Sequence, residues 1–349
     1  MKNKLTHFDL SAKSILAIFL LSFMLLFAGC GMKKQFEFSG ETMGTTYHVK
    51  FVAEYLQNTK MLKEEIDMRL DEINQSMSTF RKDSEISRFN ALQTAGEKFR
   101  ISDDFYDVLT AAKKIYEETN GAWDGTVKPL VDLWGFYKSE NKHTIPEKKQ
   151  IAALLPNIGF NNIEIFADHY LVKKNPSVTL DLASIAKGYG VDQVAALIRA
   201  NDIHDFLVEI GGEVFAEGLR KDGKKWRIGI NKPQEDAPID QVYKVVELKD
   251  RGFATSGDYR NYFKVNHKRF SHVIDPKTGY PVDNGVVSVS IIAPTCTLAD
   301  GLATAVMVLG HEKGLDLVNR LDNTECFIVT QGKDGKLVDH YSKGFIVRK

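Results

Sequence analysis

An acidic residue lies inside a strongly apolar segment near the C-terminal end of the sequence, in CTLADGLATAVMVLG at residues 296–310. The apolar run predicts a buried helix, in which an unpaired carboxylate would cost several kcal/mol. Thr304 follows Asp300 by four residues, so both side chains lie on one helix face, one turn apart. A carboxylate and a hydroxyl so placed offer two oxygen ligands of the kind that Mg²⁺ prefers. The alternative is that Asp300 only stabilises the first helical turn, with Thr295 or Thr297 at the N-cap.

A second group of polar residues lies in DLASIAKGYGVD, residues 181–192, which the pattern places at a strand-to-helix junction. Backbone N–H groups at the beginning of a helix attract anions, and Asp181 and Lys187 bracket this turn. Gly188 and Gly190 supply only a G-x-G, so the Rossmann dinucleotide fingerprint is absent. Lys187 is therefore either part of an anion site or an ordinary solvated lysine.

A histidine precedes a turn in FSHVIDPKTGYPVDNG, residues 270–285. The pattern predicts a strand over residues 269–274, and the Asp-Pro pair and Gly279 indicate a turn after it. A histidine on such a strand is either a general base or a hydrogen-bonded structural residue. His272 comes one short connection before the strand that leads to Asp300, and the spacing leaves both roles open.

Three segments in the first half of the chain carry side chains that suit a flat ring ligand. They are TMGTTY at 42–47, STF at 78–80 and GAWD at 121–124. Met43 is polarizable, and Phe80 and Trp123 are flat, so they can pack against a planar ring. The same residue types fill ordinary apolar cores, and the pattern alone does not separate the two roles.

Helical and strand patterns around these residues predict a mixed fold. Apolar residues recur at helical spacing over residues 60–77, and Ser102 is placed to cap a helix over 103–118. Further helices are predicted at 146–155, through 192–200, at 296–310 and at 313–321, with a turn-rich aromatic segment at 121–135. Strand patterns arrive in runs, which favours an α+β fold of antiparallel sheets and packed helices in a single large domain.

The first thirty residues have the features of an export signal. Lysines at positions 2, 4 and 13 precede an apolar run at 15–28 that is too short to span a bilayer comfortably. The end of this run, LFAGC, resembles the lipobox of bacterial lipoproteins, with Phe27 in place of the usual leucine, so Cys30 is expected to carry lipid. We therefore expect a signal peptide at 1–29, a lipid-anchored tether at 30–35 and a domain at 36–349 in the cell envelope, outside the cytoplasm. The alternative is cleavage nearby with Cys30 unmodified.

Composition excludes one class of partner. The chain has 349 residues, of which 43% are hydrophobic, and its 46 Lys plus Arg equal its 46 Asp plus Glu. Without a basic excess, nucleic acid is not expected as a main partner. The sequence lacks the Cys and His spacing of zinc sites. Cys296 and Cys326 lie in apolar segments and are predicted to be buried free thiols.

Six motifs, taken in order, resemble those of the ApbE family, flavin transferases that attach FMN from FAD to proteins. They are TMGTTYHV, GAWDGTVKPLVDLWGF, DLASIAKGYGVD, FATSGDYRNYF, SHVIDPKTGYPV and ADGLATA. The resemblance extends over nearly the whole of the chain that follows the export signal. It implies an ApbE-like domain with FAD as substrate and Mg²⁺ as cofactor.

The resemblance also implies roles for individual residues. Asp300 and Thr304 would bind Mg²⁺ through their side chains and Ser184 through its backbone carbonyl, while His272 would act as the base. The FAD site would be lined by Met43, Phe80, Ala122, Trp123, Asp124, Asp181, Lys187 and Ile274. Phe80 stands where a tyrosine is expected, so ring packing is kept and a hydroxyl hydrogen bond is lost.

The implied reaction is Mg²⁺-dependent transfer of FMN from FAD to a Thr or Ser hydroxyl of an acceptor protein, with release of AMP. The implied acceptors are subunits of ion-pumping electron-transport complexes, and the lipid anchor would hold the enzyme at the membrane. Two alternatives are hydrolysis of FAD to FMN and AMP, and a lipoprotein that binds FAD without chemistry. The combination of Asp300, Thr304 and His272 favours an enzyme, because binding alone needs no base beside the pyrophosphate.

Overall fold

The computed structural model describes residues 33–53, 58–136, 145–238, 241–259, 261–266 and 268–347. The signal peptide predicted at 1–29 and the lipid-carrying Cys30 lie outside the described residues, and both stay predictions. Strand β1, Lys34–Thr42, begins two residues before the predicted start of the domain at residue 36. None of the helices in the described ranges combines the length and the apolar character that crossing a bilayer requires.

The described ranges contain fifteen strands and eight α-helices. The strands after β1 are β2 Thr45–Ala53, β3 Lys98–Arg100, β4 Ile163–Phe166, β5 Tyr170–Lys173, β6 Phe206–Ile210, β7 Glu213–Glu217, β8 Trp226–Asn231, β9 Val242–Leu248, β10 Arg251–Gly257, β11 Tyr262–Val265, β12 Lys268–Ser271, β13 Val286–Ala293, β14 Glu325–Gln331 and β15 Leu337–Tyr341. The helices are α1 Thr59–Met77, α2 Glu85–Ala91, α3 Asp103–Glu118, α4 Lys128–Trp134, α5 Lys148–Leu154, α6 Ala186–Ala200, α7 Cys296–Leu309 and α8 His311–Val318.

An eight-stranded sheet forms the centre of the fold, in the order β1-β2-β6-β7-β10-β13-β14-β15. Every neighbouring pair in it is antiparallel. Smaller antiparallel sheets join β3, β5 and β4, then β8 with β9, and β11 with β12. The α+β fold with antiparallel sheets and packed helices is therefore confirmed.

The two faces of the central sheet have different coverings. Along β2, Tyr47, Val49 and Phe51 are fully buried in a cluster with apolar residues of α1 and α6. His48 and Lys50 point to the opposite face, because side chains alternate along a strand. That opposite face is partly covered by β8 and β9, through a cluster that includes residues of β7 and β10. The helices thus occupy one face, and α6 and α7 bring their candidate site residues to it.

The helices confirm the local signals in the sequence. Leu62, Ile66, Leu70, Ile73 and Met77 form the buried stripe of α1, as their spacing predicts. The hydroxyl of Ser102 accepts the Phe105 N–H at 3.2 Å and caps α3. Cys296 and Cys326 are buried free thiols, as predicted.

Two local predictions are correct only in part. The segment predicted as turn-rich at 121–135 contains α4, whose Pro129 sits in the first turn, where its fixed φ favours a helix. The strand predicted over 269–274 ends at Ser271, so His272 follows the strand rather than lying on it. Beyond it, Ile274 makes an isolated bridge to Pro281 across the turn.

Four apolar clusters of the described residues stabilise the fold. The largest joins α3 and α7 to the sheet, and a smaller one surrounds Trp134 beside β11 and β12. Because burial of apolar surface is the dominant stabilising term, we expect a domain that begins at Lys33 to fold on these clusters.

Candidate functional site

Asp300 lies in the second turn of α7, past the groups that begin the helix. The hydroxyl of Thr295 accepts the Leu298 N–H at 3.2 Å, and the carboxylate of Asp192 accepts the N–H groups of Cys296 and Thr297, each at 2.8 Å. The N-terminus of α7 is thus satisfied without Asp300, and its first turn contains no acidic residue. The alternative that Asp300 only stabilises this turn is therefore wrong.

The Asp300 carboxylate instead points at the beginning of α6. It accepts the Gly188 N–H at 3.0 Å, and only 3% of Asp300 is exposed. A Cβ at position 188 would stand 2.5 Å from the carbonyl oxygen of Cys296, so a glycine is needed for α6 and α7 to approach this closely. A carboxylate at a helix N-terminus is stabilised by the helix dipole, which partly offsets its burial.

Two further charges surround Asp300. The ammonium of Lys187 forms an ion pair of 2.5 Å with the carboxylate of Glu213, and only 4% of the surface of Glu213 is exposed. Lys187 is therefore not an ordinary solvated lysine. Burial raises the pKa of Asp300 and the pKa of Glu213, and Lys187 opposes both shifts. Two carboxylates share one ammonium, so the group needs further positive charge when both carboxylates are ionised.

Glu213 is the residue of this group that sequence reasoning missed. It begins β7, directly after Gly211 and Gly212, in the otherwise apolar run EVFA. One of its oxygens, Oε2, is buried without a hydrogen-bond partner in the described part of the chain. A glutamate next to two glycines in an apolar strand was the available signal, because buried carboxylates are rare unless paired.

The oxygen donors predicted for Mg²⁺ lie around the same helix ends. The Gly188 N–H, which a regular helix would direct to the carbonyl oxygen of Ser184 four residues earlier, donates to Asp300. The Ser184 hydroxyl accepts the Trp123 indole N–H at 2.9 Å, and Thr304 lies one turn after Asp300 with its hydroxyl 3.2 Å from that of Ser256. A carbonyl, a hydroxyl and a buried carboxylate, with the unpaired Oε2 of Glu213 nearby, are oxygen donors of the kind that Mg²⁺ takes.

A cavity of ≈ 1070 Å³ opens beside this group. Four of the predicted FAD-site residues line it, namely Met43, Phe80, Asp181 and Lys187. Phe80 lines the cavity with 85% of its surface exposed, which is a high value for a phenylalanine. Met43 adopts φ 50° in the β1–β2 turn, a conformation that costs energy for a residue other than glycine. The volume is sufficient for a dinucleotide-sized ligand.

Ala122, Trp123 and Asp124 lie in the adjacent turn and are nearly fully buried. The N–H of Asp181 donates to the Gly125 carbonyl at 2.7 Å, so this turn is joined to the 181–188 segment. Asp124 accepts both the N–H and the hydroxyl of Thr126, yet burial raises the pKa of Asp124 to about 6. The turn that contains Ala122, Trp123 and Asp124 thus packs behind Asp181, which lines the cavity.

His272 and Ile274 follow β12, the second strand of the β11–β12 hairpin, and neither of them lines the cavity. His272 is half-buried, and its Nδ1 lies 2.9 Å from the Asn261 carbonyl oxygen. A carbonyl only accepts, so Nδ1 carries the proton and Nε2 keeps its lone pair. Burial lowers the pKa of His272, which the Asn261 bond opposes, so the ring is neutral at neutral pH. Ile274 is buried against the cluster around Trp134.

The β11–β12 hairpin is joined to β10, the strand of the central sheet that carries Ser256. Arg269 of β12 forms an ion pair of 2.8 Å with Asp258, two residues after Ser256, and also donates to the Asp258 backbone carbonyl. Ser256 in turn contacts Thr304. The contacts described here do not join His272 directly to Asp300, so their shared role depends on a substrate that reaches both.

The chain is similar to proteins of one family over most of its length. The model of the ApbE family matches residues 43–328. Curated relatives named FAD:protein FMN transferase include one from Vibrio cholerae, 44% identical over 84% of this chain and 88% of its own, and one from Haemophilus influenzae, 40% identical over 93% and 94%.

Solved structures give the same result. The flavin transferase ApbE from Vibrio cholerae has a TM-score of 0.81 at 39% identity, covering 90% of this chain and 98% of that one. The flavinyl transferase ApbE from Pseudomonas stutzeri, in its apo form, has a TM-score of 0.80 at 38% identity, covering 90% and 96%. The fold, the order of the motifs and these similarities agree, and the chain therefore belongs to the ApbE family.

Proposed function

We propose that this protein transfers FMN from FAD to a Thr or Ser hydroxyl of an acceptor protein, with Mg²⁺ bound and AMP released. The observation that carries the proposal is the pair of buried carboxylates, Asp300 and Glu213, with the half-buried Lys187 beside a cavity large enough for FAD. Curated relatives that are named for this activity support it.

Mg²⁺ would be held by the Asp300 carboxylate, the Thr304 hydroxyl and the Ser184 carbonyl oxygen. When bound, it would neutralise the charge of the FAD pyrophosphate and of the leaving phosphate. Asp300 also keeps α6 and α7 together through the Gly188 N–H, so the ligand is fixed before substrate arrives. Lys187 faces the cavity and contributes positive charge toward a bound phosphate.

The transfer step is a substitution at phosphorus. The acceptor oxygen forms a bond to the phosphorus of the FMN half, and the bond from that phosphorus to the bridging oxygen breaks. The bridging oxygen keeps the electron pair and leaves as part of AMP. Nε2 of His272 takes the proton of the acceptor hydroxyl, which its neutral state at pH 7 allows. Positioning and electrostatics provide most of the catalysis of such steps.

We propose that Met43 and Phe80 pack against one of the two ring systems of FAD, either the flavin or the adenine. Ala122, Trp123, Asp124, Asp181 and Ile274 complete the site in this proposal, from the wall and the hairpin side. An exposed aromatic such as Phe80 gains most from a stacked ring, because burial on binding removes its apolar surface from water.

We further propose that the enzyme is a lipoprotein of the cell envelope, attached to the membrane through lipid on Cys30. LFAGC at residues 26–30, after the lysines and the apolar run, supports this placement. The acceptors proposed for it are subunits of ion-pumping electron-transport complexes with a Thr or Ser in a short flavinylation motif.

Incubation of the domain with FAD, MgCl₂ and an acceptor domain tests the proposal. Intact mass should show one FMN added to the acceptor, with loss of water, and chromatography should show one AMP for each FMN attached. Conversion of FAD to free FMN and AMP with an unlabelled acceptor would establish a hydrolase instead. Intact FAD bound without turnover would indicate a carrier.

A further inference from the structure

The face of the central sheet opposite the helices carries a groove of ≈ 710 Å³ with a basic lining. Its ionisable residues are His48, Lys50, Glu209, Arg220, Lys221, Asp222 and Arg227. Four of them are lysines or arginines and two are carboxylates, and ion pairs join Arg220 to Asp222 and Lys50 to Glu37. The groove therefore keeps an excess of positive charge in a chain whose total Lys plus Arg and Asp plus Glu are equal. The proposed transfer reaction does not use any of these residues.

The loop that follows β7, together with the first two residues of β8, extends this basic surface. Residues 220–227 read RKDGKKWR, with five basic residues and one acidic residue. Lys221, Lys224 and Lys225 are exposed, and no acidic side chain of the described ranges lies within 4.0 Å of their ammonium groups. Charges so placed are available to a ligand.

This segment is held in a defined shape. The Arg220 N–H donates to the Lys224 carbonyl at 2.8 Å, and the Gly223 N–H donates to the Arg220 carbonyl at 2.9 Å. The indole N–H of the buried Trp226 donates to the Glu217 carbonyl at 3.0 Å and fixes the end of the segment to β7. The turn therefore presents its lysines without a large cost of ordering.

The groove also lies where the chain enters the domain. Gln35 of β1 lines it, and the described chain begins with Lys33 and Lys34. Cys30, the proposed site of lipid attachment, precedes Gln35 by five residues, which span at most about 18 Å when extended. A lipid at Cys30 would thus keep this groove within about 18 Å of the bilayer.

We propose that the basic surface formed by the groove and the 220–227 segment binds the anionic phospholipid headgroups of the membrane to which the enzyme is anchored. Positively charged segments next to a membrane anchor are attracted by anionic lipids. Docking through this face directs the helical face, with the FAD cavity, away from the bilayer. The anchored enzyme then has a defined orientation rather than free rotation about its tether.

The test uses the domain from Lys33 onward, which contains the four apolar clusters of the described residues and lacks Cys30. Its sedimentation is measured with vesicles of phosphatidylcholine alone and of phosphatidylcholine mixed equally with phosphatidylglycerol, at low and high salt. We expect binding to the mixed vesicles only, weakened by salt. Each lysine near an anionic surface contributes about fivefold to partitioning, so a variant with Lys221→Gln, Lys224→Gln and Lys225→Gln should lose about 100-fold.

A matched control carries Lys113→Gln, Lys148→Gln and Lys149→Gln, an equal charge change at residues that do not line the groove. It should bind as the unmodified domain does. Equal binding of both variants, or no preference for phosphatidylglycerol, would overturn the proposal. The proposal would also be overturned if the variant at Lys221, Lys224 and Lys225 still bound vesicles but no longer labelled an acceptor. That result would identify the basic surface as a docking surface for a protein. Because FMN transfer to a soluble acceptor is measured separately, failure here leaves the proposed reaction untouched.

Discussion

Replacing Asp300 with asparagine separates its role in metal binding from its role in folding. The asparagine keeps the size of the side chain and an oxygen that can accept the Gly188 N–H. Burial raises the pKa of Asp300, so this carboxyl group lowers the stability of the metal-free protein as the pH rises above the pKa that it has in the unfolded chain. The Asp300→Asn variant without Mg²⁺ should therefore have a Tm equal to or above that of the unmodified protein.

The expected size of the effect is the rise in Tm that Mg²⁺ binding produces. A ligand at 100 times its Kd stabilises the native state by about 2.7 kcal/mol, and for a domain of this size that raises Tm by about 5 °C. We expect this shift in the unmodified protein and its loss in Asp300→Asn, together with the loss of FMN transfer. Calorimetry with EDTA and with MgCl₂ measures both.

The control is Asp316→Asn, which removes an exposed carboxylate of α8 and should change neither the Mg²⁺ shift nor the activity. A full Mg²⁺ shift in Asp300→Asn would refute the assignment of Asp300 as a ligand. A Tm many degrees lower without Mg²⁺ would show instead that the carboxylate is needed for folding, contrary to the contacts described above.

Three other changes test different parts of the site. His272→Ala should abolish FMN transfer but keep FAD binding, as measured by flavin fluorescence. In the unmodified protein, the rate of FMN transfer should rise with pH as the imidazolium of His272 loses its proton. The midpoint should lie below pH 6.5, because burial lowers the pKa of His272. Glu213→Gln should keep the fold and raise the Mg²⁺ concentration needed for half-maximal transfer, on the order of tenfold, since it removes one negative charge from the buried group; an unchanged Mg²⁺ dependence would contradict the charge argument. Gly188→Ala should lower the free energy of unfolding by about 1–3 kcal/mol, because its Cβ would overlap the Cys296 carbonyl, and urea titration would detect it.

The sequence predicted those parts of the fold that depend on local pattern. The stripe of α1 and the Ser102 cap of α3 follow from spacing and capping chemistry within a few residues, and both are confirmed. The placement of Asp300 on a buried helix also follows from local pattern. The end of β12 was missed, because the strand ends where its pairing with β11 ends rather than where its residue types change.

Partners that are distant in sequence could not be predicted. Lys187 alone is compatible with a surface position, and its burial depends on Glu213 from a strand that the chain reaches later. In the same way, Asp192 reaches the N-terminus of α7 across more than a hundred residues. No pattern in either segment specifies the other, since tertiary packing decides which buried charges meet.

The two helices of the site each supply the carboxylate that the other needs at its N-terminus. Asp192 of α6 accepts N–H groups of α7, and Asp300 of α7 accepts an N–H of α6. Separating the helices would break both contacts at once, so we expect them to move as one body. Any rearrangement on ligand entry is then expected in the loops that line the cavity, including the β1–β2 turn at Met43 and the exposed segment at Phe80. Amide hydrogen exchange should accordingly be slow at Gly188 and fast at the mouth.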